Sequence, residues 1–429
     1  MNAFFFFIRI SLTGLSGHRL SKLIVSDLFN KFSYRYNESQ KSSFKSLLRY
    51  FVYAFRLIVK RRSRKNTASE IVVFDGSSAS EPSRMHYLES LGYKASNFIS
   101  RDNLPNQLSI WSRVGLVIAL IITTIGLFPI WLFKNDRTRL ALILLEAAEG
   151  SLIRAHLKSA RANQLFIFSA YEKDISFLSY YLSKTNNIKV WLFPSPNPIR
   201  FYYQTVVCDT FCFSAPFQKS EFEELKINWQ IRDTRLVPPP GYTEIEIYRE
   251  EKETQNILGF VSSGGHLRKK LQHTNNFEEA DFKAEEATLS ALQAIVKKEK
   301  CQLIIYLHPI EKRDPQSLEL SMHYFKKIFG EQIKFAPVDQ PSKRHFSLCG
   351  VAVSGFSSAQ IERLYGGHKT LFTPMGFLPD YFRDPRLRSI SANTQQELLD
   401  LLRESLDMSN ADFFAKHRLE EYTYSHVQK

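Results

Sequence analysis

The chain has 429 residues, of which 44% are hydrophobic and 23% charged, and its formal net charge is +14. This length is too great for one hydrophobic core and suits two domains, and the composition excludes a largely disordered chain. The four cysteines show no ligand pair at CxxC spacing and no disulfide framework, and they fit small buried side chains in a reducing compartment.

The positive charge is concentrated at the N-terminus. Residues 1–68 contain 14 Lys and Arg against Asp27 and Glu38, so this segment carries +12 of the +14. The run KSSFKSLLRYFVYAFRLIVKRRSRK, residues 41–65, spaces its apolar residues by three and four, as an amphipathic helix does. Those residues are Phe44, Leu47, Leu48, Phe51, Phe55 and Ile58. We predict that residues 1–68 bind an anionic membrane surface; the alternative is a helix that packs on the protein itself.

A second apolar segment, Val114 to Phe133, has no charged residue in twenty. Its length fits one membrane crossing, but probable strands at residues 70–75 and 164–169 must lie on the same side of the membrane if they share a sheet. We therefore expect an insert, 112–134, that dips into the membrane and breaks near Gly126 or Pro129. The alternative is a buried helix.

The rest of the chain alternates strands and helices without a repeat, which predicts an α/β fold of two Rossmann-like parallel-sheet domains that face a cleft. The prolines of LVPPPGY interrupt the pattern at residues 236–242. We predict an N-terminal domain at 69–240, a linker at 241–254 and a C-terminal domain at 255–429. No nucleic-acid-binding module accompanies the basic residues, so nucleic acid is not an expected partner.

Three predicted strands of the C-terminal domain end in residues that suit an anion. Ligands of parallel sheets collect at the carboxyl ends of strands. The first end carries Ser262, Ser263, Gly264 and Gly265, whose backbone N–H groups suit phosphate, with Arg268 close by; glycine required only for steric reasons is the alternative.

At the second strand end, LIIYL is followed by His308 and Pro309. Pro309 stops the strand, and the imidazole is a hydrogen-bond donor for a phosphate oxygen. At the third, Ser357 and Ser358 stand where a helix should begin, and Glu362 follows about one turn later, where a carboxylate can accept from ribose hydroxyls. The alternative for His308 is a solvated residue that ends the strand. For the serines it is ordinary helix capping, and for Glu362 it is a surface glutamate.

The order SSGG, HP and SS followed by Glu resembles bacterial GT-B glycosyltransferases that build surface polysaccharides. It is similar in particular to the group of sialyltransferases, Kdo transferases and teichoic-acid polymerases, over residues 257–374. The resemblance implies that His308, Ser357 and Ser358 hold the phosphate of a nucleotide-sugar donor and that Glu362 binds its ribose. It also implies transfer to a glycan acceptor, plausibly lipid-linked, without a cofactor or an essential metal, at the cytoplasmic face of the inner membrane.

One element of that family is missing. Bacterial sialyltransferases of the group carry an acidic pair followed by Gly that supplies the general base, and this chain has PSPNP after the strand at 188–193. Asp75, Glu172 and Asp174 are the substitute bases, since each follows a strand of the N-terminal domain; each also fits an ordinary turn acid. A nucleotide-sugar epimerase of GT-B fold and an inactive membrane-bound assembly factor remain alternative functions.

Overall fold

The computed structural model describes most of the two domains and little of the chain before them. The described residues are 7–8, 44–60, 68–76, 78–101, 103–106, 108–133, 137–168, 179, 182, 188–196, 207–225, 230–248, 256–270, 276–299, 301–355, 357–375 and 381–427.

Strands and helices alternate along both halves. The N-terminal half contains α1 (Phe44–Val59), β1 (Ile71–Asp75), α2 (Glu81–Ser90), β2 (Asn97–Ser100), α3 (Ile110–Phe133), α4 (Arg137–Ala160), β3 (Gln164–Phe168), β4 (Lys189–Phe193), β5 (Val207–Phe213), α5 (Pro216–Leu225) and β6 (Gln230–Leu236). The C-terminal half contains β7 (Ile257–Val261), α6 (Gly265–Lys270), α7 (Asn276–Glu299), β8 (Gln302–Tyr306), α8 (Pro315–Phe329), β9 (Lys334–Phe335), β10 (Val351–Ser354), α9 (Ser358–Tyr365), β11 (Thr370–Phe372), α10 (Pro385–Ser389), α11 (Gln395–Asp407), α12 (Asn410–His417) and α13 (Tyr424–Val427).

The strands form two parallel sheets, which confirms the predicted α/β fold of two Rossmann-like domains. The first sheet has the order β2-β1-β3-β4-β5-β6 and the second the order β11-β10-β7-β8-β9. Every pair of neighbouring strands is parallel. The apolar strand IVVFD is buried at all five positions, as expected where helices cover both faces of a parallel sheet.

The segment between the sheets binds the two domains together. Tyr87 of α2 donates to the carbonyl of Pro238 at 2.7 Å, and the ring of Tyr242 lies 6.1 Å from those of both Tyr87 and Tyr365. On the C-terminal side, Glu244 pairs with Lys343 at 2.9 Å. This stretch is therefore packed against both domains.

The helix α1 packs on the protein through part of its apolar face. Ala54 and Ile58 are fully buried and Phe51 is half-buried against the same core, whereas Leu48 and Phe55 are exposed. Packing on the protein, which was the alternative to membrane binding, therefore holds for the face of α1 that carries Ala54 and Ile58.

The predicted break in the second apolar segment is wrong. The helix α3 continues through Gly126 and Pro129, and the chain returns along α4 rather than within the segment. Leu116, Ala119 and Leu120 are buried in the core, so one face of α3 packs and the other does not. Among the described residues, none of the helices combines the length and the apolar character that a membrane span requires.

Candidate active site

Three adjacent strands bring the predicted motifs to one edge of the second sheet. Strand β7 lies between β10 and β8, and all three run in the same direction. The loops that carry SSGG, HP and the serine motif therefore leave the sheet side by side. A Cβ built on Gly264 would lie 3.5 Å from the Cβ of His308, so the first two loops are in contact.

The buried carboxylate of Glu311 ties the first two loops together. It accepts a hydrogen bond from the hydroxyl of Ser262 at 3.0 Å and another from the backbone N–H of His308 at 2.6 Å. His266 Nδ1 lies 3.3 Å from the same carboxylate. Glu311 is fully buried, so its charge depends on these donors. Glu311, which lies outside the predicted motifs, thus holds the backbone of His308 in place.

The imidazole of His308 has a defined tautomer. Its Nδ1 accepts from the backbone N–H of Ile310 at 3.1 Å, so the proton of the neutral ring lies on Nε2. The Pro309 carbonyl accepts from the N–H of Lys312 at 3.3 Å and closes the turn after the strand. The ring is half-buried at the end of β8, and its Nδ1 side is held by the turn that follows.

The SSGG loop uses its donors within the protein. Both the N–H and the hydroxyl of Ser263 donate to Glu285, at 2.7 and 2.5 Å, and the N–H of Gly265 donates to the same carboxylate at 3.2 Å. The N–H of Gly264 donates to the Ser262 hydroxyl at 2.9 Å. Three of these four donors are thus matched by Glu285, an acidic residue of α7, and the fourth by a serine of the loop itself.

Glycine is required in this loop for steric reasons as well. Gly264 has a φ of +74°, and a Cβ there would lie 2.7 Å from a methyl group of Ile310. The backbone of Arg268 lies in α6, and its side chain is outside the described residues. Phosphate binding by Ser262, Ser263, Gly264, Gly265 and Arg268 stays a prediction.

The serine motif begins a helix, as expected. Ser357 caps α9, and its hydroxyl accepts from the N–H of Ala359 at 3.3 Å. Ser358 is the first residue of the helix and is half-buried. Ser357 also accepts from the N–H of Gln360 through its carbonyl at 3.0 Å, so two donors of the first turn are used; the partial positive charge of the helix end still favours an anion.

Glu362 lies where the two domains approach each other. Its pKa is raised to about 7 because burial disfavours the charged carboxylate, while Lys343 and Arg84 oppose the shift. Arg84 belongs to α2 of the N-terminal domain, so Glu362 lies within electrostatic reach of both halves. A carboxylate with this pKa exchanges its proton near neutral pH and suits a ligand hydroxyl that donates to its ionised form.

Asp75 ends β1 at the corresponding edge of the first sheet. Its carboxylate accepts from the N–H of Gly76, from the Ser80 hydroxyl at 2.8 Å and from Arg84 Nε at 2.8 Å. It is 3% exposed, and this bonding matches the turn role that the sequence also allowed. Glu172 and Asp174 lie outside the described residues, so the general base stays a prediction.

Sequence reasoning missed three charged residues of this region: Glu285, Glu311 and Arg84. Glu311 follows His308 by three residues, a spacing that suits a side chain folding back onto a turn. Nothing in the sequence links Glu285 to the SSGG loop, since 20 residues separate it from Gly265. Arg84 lies in the first turn of α2. Its pairing with Asp75 and its influence on Glu362 are visible only in the structure.

Comparison with known proteins gives similar structures but no related sequence. No family model and no curated protein matches the chain. The UDP-GlcNAc 2-epimerase of Neisseria meningitidis bound to UDP-GlcNAc is similar with a TM-score of 0.45 and 10% identity, over 83% of this chain and 96% of that one. A putative UDP-N-acetylglucosamine 2-epimerase of Listeria monocytogenes gives 0.44 and 14%, over 82% and 95%. A glycosyltransferase of Rickettsia africae gives 0.44 and 11%, over 85% and 96%.

Proposed function

We propose that the chain is a GT-B glycosyltransferase that moves a sugar from a nucleotide-activated donor to a glycan of the bacterial surface. The donor phosphate binds at the carboxyl edge of the second sheet, between His308 and the first turn of α9. The acceptor is a lipid-linked glycan that enters from the N-terminal domain at the cytoplasmic face of the inner membrane.

The observation that carries this proposal is that His308 and the N-terminus of α9 lie at the same edge of the second sheet. His308 presents its Nε2 proton there because Ile310 and Glu311 hold the ring and the backbone. The N-terminus of α9, at the end of β10 on the other side of β7, adds the partial positive charge of a helix end. Fixed donors of this kind stabilise the charge that develops on a phosphate leaving group.

Glu362 supports a nucleoside as the group attached to that phosphate. It lies on α9 after the serine motif. Its pKa of about 7 lets it lose a proton when ligand hydroxyls approach and donate hydrogen bonds to it. The two hydroxyls of a ribose ring are donors of this kind. The phosphate and the ribose would then contact the same short helix.

In the proposed reaction, a carboxylate of the N-terminal domain takes the proton of the acceptor hydroxyl. The oxygen of that hydroxyl bonds to the sugar carbon of the donor at the same time. The bond between that carbon and the donor phosphate breaks, and the nucleotide leaves with the electron pair. Asp75, Glu172 and Asp174 are the proposed bases. Arg84 already neutralises Asp75, so the other two are favoured over it.

The test is an analysis of products from nucleotide sugars, with and without lipid acceptors from bacterial membranes. A transferase releases nucleotide only when acceptor is present, and His308→Ala should abolish that release. Conversion of the free nucleotide sugar to its epimer, followed by proton NMR, would instead show an epimerase. Absence of both products from the full chain would support an inactive assembly factor.

A further inference from the structure

The helix α3 leaves a continuous apolar stripe uncovered. Its buried face consists of Leu116, Ala119 and Leu120, each 0% exposed. The exposed apolar residues on the remaining surface recur at helical spacings of three and four. They are Trp111 (81% exposed), Val114 (44%), Ile118 (46%), Ile121 (42%), Ile122 (51%) and Ile125 (67%). Side chains of this kind grouped along one helix mark a binding surface.

The first helix extends this surface at one end. Leu48, Tyr53, Phe55 and Val59 of α1 are also exposed. Arg113 Nη1 donates to the carbonyl of Val59 at 3.2 Å, which fastens the end of α1 to the start of α3. Asn106 donates to the carbonyl of Ile58 at 2.6 Å and strengthens the same junction. The two helices are therefore joined at this end.

The two helices that carry the stripe have charges of one sign. Neither α1 nor α3 contains an acidic residue, and the exposed cations Arg56 and Lys60 lie at the junction end. An indole at one end of an apolar stripe, beside cations, suits the boundary between lipid headgroups and acyl chains. Each cation near an anionic bilayer adds about 1 kcal/mol of attraction. A protein partner would need an acidic and apolar surface of matching shape, whereas a bilayer needs no such match.

The position of α4 shows where this element lies relative to the candidate site. Asn97 at the start of β2 bonds His156 at 3.0 Å, and Arg101 just beyond its end pairs with Glu149 at 2.5 Å. The helix thus runs antiparallel to β2, and residues 137–148 extend past the carboxyl edge of the sheet by about 18 Å. The hairpin of α3 and α4 therefore projects on the side of the sheet where Asp75 and Arg84 lie.

We infer that the exposed stripe of α3 docks on an anionic phospholipid bilayer, with the cations of α1 against the headgroups. The helix lies along the lipid surface instead of crossing it. Docking in this way holds the edge of the N-terminal sheet beside the membrane. The inference goes beyond the proposed function, because a bilayer would bind this face whatever reaction the cleft performs.

The test is sedimentation of the full chain with vesicles of phosphatidylcholine, with and without phosphatidylglycerol. We expect binding to the anionic vesicles and a reduction in affinity of at least about tenfold in the Ile118→Glu/Ile122→Glu variant. The matched control is Leu236→Glu, an exposed leucine (39%) on β6, which should bind as the parent does. Vesicles with brominated acyl chains should quench the tryptophan fluorescence of the parent, and Trp111→Phe should lower the fraction that is quenched.

Three results would overturn the inference. The parent chain does not bind anionic vesicles, or the double variant binds them equally well. In the third, the parent is a dimer in light scattering without lipid and the double variant is a monomer, which would assign the stripe to self-association. Both isoleucines are exposed, so circular dichroism should show an unchanged fold, and nucleotide binding measured in parallel reports separately on the cleft.

Discussion

Glu362 lowers the stability of the folded protein near neutral pH, and the same carboxylate is suited to bind ligand hydroxyls. Burial raises its pKa from the ordinary value of 4.5 to about 7, so the folded protein binds this proton more tightly than the unfolded chain does. Below pH 4.5 the carboxyl is protonated in both states and costs nothing. The cost grows as the pH rises towards 7 and is complete above it.

We therefore expect Glu362→Gln to unfold at a higher temperature than the parent at pH 8 and at the same temperature at pH 4. The gain at pH 8 should be about 1–2 kcal/mol, since the side chain keeps some contact with solvent. Calorimetry at the two pH values measures it, with Glu319→Gln, an exposed glutamate of α8, as the control. Equal shifts in both variants would refute a raised pKa at Glu362.

Glu311 supports the site without a role in the reaction. Replacing it by Ala removes the acceptor of the Ser262 hydroxyl and of the His308 backbone N–H, and also the carboxylate that lies 3.3 Å from His266 Nδ1. Buried donors without a partner cost about 1–3 kcal/mol each, so Glu311→Ala should lower the free energy of unfolding by about 3 kcal/mol. Urea unfolding measures the loss. His308→Ala, which keeps Glu311, should lose less than half as much, and a loss as large as that of Glu311→Ala would contradict this assignment.

At the scale of elements, the attachment of α4 to the first sheet depends on a buried ion pair. Glu149 is 1% exposed and lies 2.5 Å from Arg101, whose side chain is 11% exposed. Glu149→Ala leaves a nearly buried guanidinium without its carboxylate, which should cost about 3 kcal/mol. In Glu331→Ala, which removes an exposed pair with Lys326, the loss should stay below about 1 kcal/mol. Comparable midpoints of the two variants in urea would show that the buried pair contributes little.

The strands predicted most directly from sequence are those that are apolar over almost their whole length. VAVS and LIIY are buried in the middle of a sheet and read directly as strands. Strand β6, Gln230–Leu236, was not predicted, because the run QIRDTRL alternates polar and charged residues at the edge of its sheet. The four helices after residue 384 were also missed, since their sequences follow no motif of the α/β pattern.

The candidate site was predictable only in part. A His-Pro pair after an apolar strand and a serine before a helix are local signals, and the structure places both at the same edge. The acceptors that hold these loops come from distant parts of the chain. Glu285 and Arg84 act through tertiary contacts, and no local spacing reveals such contacts.

At the scale of the whole molecule, Tyr242 joins the two domains through aromatic contacts. Its ring meets Tyr87 of the N-terminal domain and Tyr365 of the C-terminal domain, both nearly edge-on. Tyr242→Ala should therefore cost about 1–2 kcal/mol and broaden thermal unfolding into two transitions. Tyr424→Ala removes a tyrosine that is 40% exposed and should leave the profile unchanged. If calorimetry gives the same single transition for both, the domains are not coupled through this ring.

The central claim is that the carboxyl edge of the second sheet binds a nucleotide through His308. Titration calorimetry with CMP, CDP, UDP and GDP tests it on the parent chain, on His308→Ala and on His323→Ala, which replaces an exposed histidine of α8. We predict that one base is preferred, that His308→Ala weakens its binding at least about tenfold and that His323→Ala does not. Failure of all four nucleotides to bind, or equal binding by His308→Ala and the parent, would contradict the account.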